Sequence, residues 1–288
     1  VVVQKWLLRH IKNRKEGIDM KLGFIGLGNM AKAMIGGILK KEVVSATDIM
    51  GCAKSEASKE YASGNWGILI GEDNIQVAHF AEILVLAVKP QVLPRVVEQI
   101  KDAVSEDTVI VSIAAGVSMD SLGRMFGRSL KFVRCMPNTP ALVGMGCTGV
   151  CCNELVTRDE MQQSLSLLQS FGLAEEVPEK LMDAVVGVSG SSPAYVFLFL
   201  EALADGAVQA GMPRAQAYRF AAQSIMGSAA LALETGKHPG ELKDMVCSPG
   251  GTTIEAVQVL EDRGFRSSVM HAVEACVERC RALSKDET

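Results

Sequence analysis

Two glycines and an alanine, spaced Gly26-x-Gly28-x-x-Ala31, stand in the run LGFIGLGNMAKA, between a short apolar stretch and a helical pattern. This spacing suits one task, holding a pyrophosphate on backbone groups. Gly26 can take the angles of a tight strand-to-helix turn, Gly28 presents no side chain to a phosphate, and Ala31 lets the helix pack closely on the strand. The N–H groups of the helix N-terminus then face the phosphates. An ordinary glycine turn uses the same residues, but the strand before and the helix after favour a dinucleotide. A second group is Cys247-Ser248-Pro249-Gly250-Gly251-Thr252-Thr253-Ile254-Glu255. Pro249, Gly250 and Gly251 shape a loop whose N–H groups can converge on an anion, with hydroxyls beside them. Thr252-x-x-Glu255 matches a capping box and sets this loop at a helix N-terminus. A substrate carboxylate is the expected guest; the bland alternative is a capped helix after a Pro-Gly turn.

Other chemistries find no residues. The four histidines are His10, His79, His238 and His271. His79 falls in the third helix, His271 in the last helix among Val and Ala, and His238 in a loop before Pro239. No Ser-His-Asp or Cys-His set is readable. Eight cysteines occur without a Cys-x-x-Cys pair, with Cys151–Cys152 and Cys276/Cys280 as close sets. They read as buried reduced thiols of a cytoplasmic protein, and no metal site is expected. A net charge of −4 and no Lys/Arg block after residue 19 argue against nucleic acid. Glu201 interrupts the apolar run AYVFLFL, so no membrane span is expected.

The elements that must position these residues follow from the apolar pattern. At 288 residues the chain suggests two domains. Strands are expected at 22–26, 48–53, 66–70, 82–88, 108–113, 130–135, 146–151 and 173–177, with helices beginning at 28, 55, 75, 91, 118 and 157. Continuously apolar runs such as ILVLAV suit strands covered on both faces. The expected fold is α/β, a Rossmann doubly wound parallel sheet over 20–180, followed by an all-α domain over 181–288. In the latter, Ser192-Pro193 reads as an N-cap and first helical residue, Gly211 as a helix end, and further helices run 213–235, from about 253, and 266–283. Residues 1–19 are basic, precede Met20, and are read as upstream residues outside the fold; an organelle-targeting segment is the alternative.

A ligand of such a sheet lies along the carboxyl ends of the strands. There stand Ala87-Val88-Lys89-Pro90, then Ile113-Ala114-Ala115 after Ser112, and Met136-Pro137-Asn138-Thr139-Pro140. The second strand ends Cys52-Ala53-Lys54-Ser55 with no acid to bind a ribose hydroxyl; Asp48 stands at its wrong end. Lys54 and Ser55 can instead hold a 2′-phosphate, which favours NADPH over NADH.

The blocks GFIGLGNMAKA, LAVKP, VSIAAGVS, MPNTPALVGMG, VGVSGSSPAYVF and HPGELKDMVCSPGGTTIEAVQVLE, in this order, closely resemble pyrroline-5-carboxylate reductases. The likeness covers essentially the whole chain after Met20. It implies NAD(P)H-dependent reduction of 1-pyrroline-5-carboxylate to L-proline, the last step of proline biosynthesis. It also implies a helical domain that intertwines with a second copy to form a dimer, which can assemble further. Cofactor contacts map onto Ile25, Gly26, Leu27, Gly28, Asn29, Met30, Ala53, Lys54, Ser55, Asn74, Ala87, Val88, Lys89, Pro90, Ile113, Ala114 and Ala115. The substrate loop maps onto Ser248, Gly251, Thr252 and Thr253, to which the loop reading adds Gly250. Some members carry Ala at the position of Thr252, so the catalytic hydroxyl falls to Thr253. A protonated cyclic imine is already an electrophile and needs no nucleophilic side chain. A hydroxyacid dehydrogenase of similar layout would need a lysine early in the second domain, and residues 181–213 hold none. A non-catalytic NADP-binding regulator is the other alternative, against which the intact SPGGTT loop speaks.

Overall fold

Consecutive residues of the central strands bury in opposite directions, as the two-residue period of a strand requires. In the computed structural model, which describes residues 20–285, Ile83, Val85, Val109, Val111, Val133 and Cys135 face one buried cluster. Leu84, Leu86, Ile110 and Phe132 face another. Helices supply the far side of each, Ala31, Met34, Ile35 and Ile38 in the first, Val96, Val97, Ile100 and Leu122 in the second. Each fully buried Val, Leu, Ile, Phe or Met among them is worth about 1.5–3 kcal/mol over leaving it in water. The continuous apolar runs are therefore explained by two covered faces.

The elements are β1 (Leu22–Ile25), α1 (Asn29–Lys40), β2 (Ile49–Cys52), α2 (Glu56–Trp66), β3 (Leu69–Ile70), α3 (Asn74–Phe80), β4 (Ile83–Leu86), α4 (Leu93–Ile100), β5 (Val109–Ser112), α5 (Met119–Phe126), β6 (Lys131–Met136), β7 (Gly146–Cys152), α6 (Arg158–Leu168) and β8 (Gly172–Glu176). They build one sheet of order β3-β2-β1-β4-β5-β6-β7-β8. The Rossmann-type, parallel-dominated sheet is as expected, with one correction. β7 runs antiparallel to β6 and β8 parallel to β7, so the last two strands are reversed. The segment 137–145 between β6 and β7 holds only a 3-10 turn, Thr139–Val143, too little for a parallel crossover of a dozen or more residues. The basic stretch 1–19 lies outside the described residues.

From Met182 to Lys285 the elements are all helical: α7 (Met182–Val185), a π turn (Val186–Gly190), α8 (Ser192–Gln209), α9 (Arg214–Thr235), α10 (Pro239–Val246), α11 (Thr252–Asp262) and α12 (Phe265–Lys285). Three local expectations change. Ser192 is the first helical residue rather than a free cap, because the π turn feeds α8 directly. The segment before the glycine loop is a helix, α10, whose cap is His238, with Nδ1 accepting the Gly240 N–H at 3.1 Å. Thr252 is the first residue of α11 behind an N-cap of Gly251, with no side-chain cap bond, so no capping box forms there. Gly211 does close α8, its N–H reaching Val208 O while Met212 N–H reaches Ala207 O.

Two compact units result, residues 20–193 together with 273–285, and residues 194–272. Within the first, the last helix returns to the π turn. Gly187 lies against Val273 and Val277 with no room for a Cβ to spare, Cys276 Sγ reaches Ser191 Oγ at 3.2 Å, and Cys280 Sγ reaches Asp183 Oδ1 at 3.4 Å. The 194–272 unit buries little of itself. Phe197, Leu198, Phe220, Leu233 and Met270 are each more than 60 % exposed. By length and composition alone the run Glu179–Gln209 is apolar enough to cross a membrane, so Glu201 does not by itself exclude a span.

Candidate active site

The parallel register brings the ends of four strands level. Ile25 lies opposite both Cys52 and Leu86, and Leu86 opposite Ser112. The turns at these strand ends therefore meet along one edge. Gly26, at φ +98, donates its N–H to Cys52 O at 2.8 Å. A Cβ there would stand 2.4 Å from Ala87 O, so only glycine fits. Gly28 is the N-cap of α1, forms no side-chain cap bond, and a Cβ on it would meet nothing within 4 Å. The first N–H groups of α1 have no partner within the helix, and the room a side chain on Gly28 would take is open, as a pyrophosphate cradle needs. Ala31 is buried beneath, as close helix–strand packing demands.

The other residues expected at the cofactor divide by what their side chains do. Ile25, Leu27 and Ala114 are buried in the core and can offer a ligand backbone only, while Asn29 and Ala115 are exposed and Met30, Ala53 and Ile113 half-buried. Lys54 and Ser55 are exposed at the tip of β2, and Ser55 is the N-cap of α2 without a side-chain bond to it. Asn74 begins α3 at the same edge, its amide donating to Gln99 Oε1 at 2.8 Å. Ala87 N–H bonds Ile25 O, and Lys89-Pro90 lead into a 3-10 turn with Val88 half-buried. Asn138 is different. It is buried, its amide donates to Ser189 O at 2.9 Å and its Oδ1 accepts the Cys147 N–H at 2.8 Å. It ties the turn after β6 to β7 and the π turn, and is no free ligand. Sequence reasoning missed this because an Asn between prolines looks the same whether it binds a guest or its own chain.

The second loop lies in the 194–272 unit. Ser248 is exposed, Gly250 takes φ +64, and Gly251 N–H closes on Ser248 O at 3.0 Å. That N–H is therefore spent inside the turn. The groups left for an anion are the first N–H groups of α11, at Thr252 and Thr253, which have no partner within the helix. Thr253 is half-buried, Thr252 exposed.

At the strand-tip edge burial raises the Cys52 thiol above its ordinary value, against thiolate chemistry there. Burial, with Glu179 nearby, pushes the Cys151 thiol up to about 12, so it stays protonated at neutral pH. A surface hollow of about 490 Å3 lies along α5 and residues 153–155. None of the residues named at the strand tips or the glycine loop lines it.

Comparison with known proteins places these features in a family. Residues 21–116 match a family model described as NADP oxidoreductase, coenzyme F420-dependent, and residues 179–283 one described as pyrroline-5-carboxylate reductase dimerisation. The pyrroline-5-carboxylate reductase of Escherichia coli (strain K12) is 50 % identical over 268 residues, covering 93 % of this chain and 100 % of the relative. That of Synechocystis is 43 % identical with the same coverage. Among solved structures, the Coxiella burnetii enzyme superposes with a TM-score of 0.87 at 35 % identity, covering 92 % and 99 % of the two chains. The Plasmodium falciparum enzyme with NADP bound gives 0.85 at 33 %, covering 93 % and 100 %. Open glycine cradle, level strand tips, serine-glycine-threonine loop and end-to-end similarity agree: the chain belongs to the pyrroline-5-carboxylate reductase family.

Proposed function

We propose that this chain reduces 1-pyrroline-5-carboxylate to L-proline, with NADPH as its preferred cofactor. Family membership along the full length of the relatives carries the reading. The glycine cradle at Gly26–Gly28 holds the pyrophosphate, and Lys54 and Ser55 take the 2′-phosphate at a strand end, Cys52–Ser55, that itself carries no acid. Ala87–Pro90 and Ile113–Ala115 line the nicotinamide half with small or rigid backbone. NADPH supplies, when bound, the hydride that the imine carbon accepts. The protein binds, orients and excludes water. The first N–H groups of α11 and the hydroxyl of Ser248 hold the substrate carboxylate, within a loop that Gly250 and Gly251 allow to turn. Thr253 holds the ring nitrogen. A hydroxyl is a weak acid, so the substrate enters already protonated from water and Thr253 fixes its orientation.

The region over 181–288, helical in its described part and returning at 273–285 to the first unit, serves as substrate and dimerisation domain. Its exposed apolar side chains support an intertwined dimer better than a membrane, since a protein partner tolerates the acids Glu201 and Asp205 among them. Eight free cysteines suit a reducing compartment, the cytoplasm. One assay tests the central claim. Purified protein should oxidise NADPH when given 1-pyrroline-5-carboxylate and yield proline; NADPH binding without turnover would instead favour a non-catalytic regulator.

A further inference from the structure

The first turns of α2 carry a second cation beside Lys54. Lys59 stands one turn inside the helix, its N–H bonded to Ser55 O at 3.3 Å. Helical side chains lean toward the N-terminus, so the Lys59 chain runs back over the turn that bears Lys54 and Ser55. Its Nζ lies 3.4 Å from Glu56 Oε2, and the side chain is only 24 % exposed although α2 is a surface helix. Its charge also reaches the tip of β2, where it opposes the upward push of burial on the Cys52 thiol. Two acids share this corner. Glu56 pairs with Lys59, and Asp73 faces Cys52 but is held as the cap of α3 by the Gln76 N–H at 2.8 Å. The Ser55 hydroxyl makes no cap bond.

We propose that Lys59 is a specificity residue for the 2′-phosphate of the dinucleotide, closing on it together with Lys54 and Ser55. Lys59 leaves Glu56 as the phosphate enters, so Glu56 is the competitor that keeps the lysine folded over the site while the site is empty. An ammonium buried along its stem and already aimed at the strand tip loses little freedom on binding, unlike the exposed Lys54. The role of Lys59 rests on NADPH being the cofactor.

Equilibrium titrations test both and separate them. NADPH and NADH are followed by their own fluorescence, and 2′,5′-ADP and 5′-AMP by displacement, on wild type, Lys59→Met, Lys59→Arg and Glu56→Gln. Met keeps the apolar stem and removes the charge. Lys59→Met should lose roughly tenfold in affinity for NADPH and 2′,5′-ADP and none for NADH or 5′-AMP. Lys59→Arg should restore most of it, and Glu56→Gln should tighten NADPH alone. Unchanged NADPH binding in Lys59→Met, or an equal loss for NADH, overturns the role of Lys59 while leaving NADPH as cofactor. A wild type that binds 5′-AMP as well as 2′,5′-ADP overturns both.

Discussion

Gly26 and Gly28 stand two residues apart and answer to different constraints. Alanine at Gly26 meets Ala87 O and a positive φ at once, so Gly26→Ala should cost about 1–3 kcal/mol of stability, read as a lower urea midpoint. Alanine at Gly28 points into open space. Gly28→Ala should leave the midpoint in place and weaken NADPH, because the methyl group occupies the phosphate's room. At Lys54, replacement by Ala should weaken NADPH by about 1–2 kcal/mol and spare NADH; equal losses would mean that Lys54 does not read the 2′-phosphate. Thr253→Val keeps the shape of the side chain and removes its hydrogen bond. It should lower kcat/KM about ten- to a hundredfold, about 1–3 kcal/mol, with NADPH affinity unchanged. Thr252 makes no cap bond and is exposed, so Thr252→Val should stay within about 0.5 kcal/mol of wild-type stability. If the two valine variants lose rate equally, α11 acts through its backbone N–H groups and the Thr253 hydroxyl has no catalytic part.

The pattern Thr-x-x-Glu occurs before two helices, and only one forms a capping box. Thr157 Oγ1 accepts the Glu160 N–H at 3.3 Å while Glu160 Oε2 accepts the Thr157 N–H at 2.8 Å. Glu160 also takes Lys131 Nζ at 2.7 Å. Burial would raise the Glu160 carboxyl, but these bonds outweigh it and hold it below the ordinary range. A depressed carboxylate stabilises the fold above its unfolded pKa, and that contribution fades as pH falls through its folded pKa. Glu160→Gln should therefore flatten the acid limb of the unfolding midpoint against pH, and Thr157→Ala should cost about 1 kcal/mol at neutral pH. At Thr252 the same pattern fails because Gly251 takes the N-cap place and the helix begins one residue earlier, at Thr252 itself. Such choices mark the limit of what was legible. All eight strands and the six helices between them could be read from apolar periodicity, since two buried faces impose it. The reversal of β7 was not, because strand direction depends on a connection's length in space. Nor was α10, whose start rests on a histidine cap, a residue seldom used there. Of the site, the glycine cradle declared itself by residue type; Lys59 did not, because a lysine on a helix looks solvated until the helix shows which way it leans.

At the scale of the molecule, the 194–272 unit leaves too much apolar surface in water for a single copy. Light scattering at micromolar concentration should give a dimer or a multiple of it. A monomeric mass with full activity would refute the intertwined assembly, and Leu198→Glu should push the protein toward monomer or aggregate. The return of α12 to the π turn has a consequence of another kind. Because Ser191 and Cys276 touch, the chain departs from the nucleotide-binding unit and re-enters it at neighbouring points. Residues 194–272 thus stand between two pieces of a host unit, with both junctions inside helices, α8 and α12. A host of this kind tolerates excision where it would not tolerate truncation. Removing 194–272 and bridging Pro193 to Val273 with a short Gly-Ser linker should leave a folded, monomeric protein that still binds NADPH and turns nothing over. Stopping the chain at Pro193 instead should strip Val273 and Val277 from Gly187 and Cys280 from Asp183, and lower the thermal midpoint of what remains.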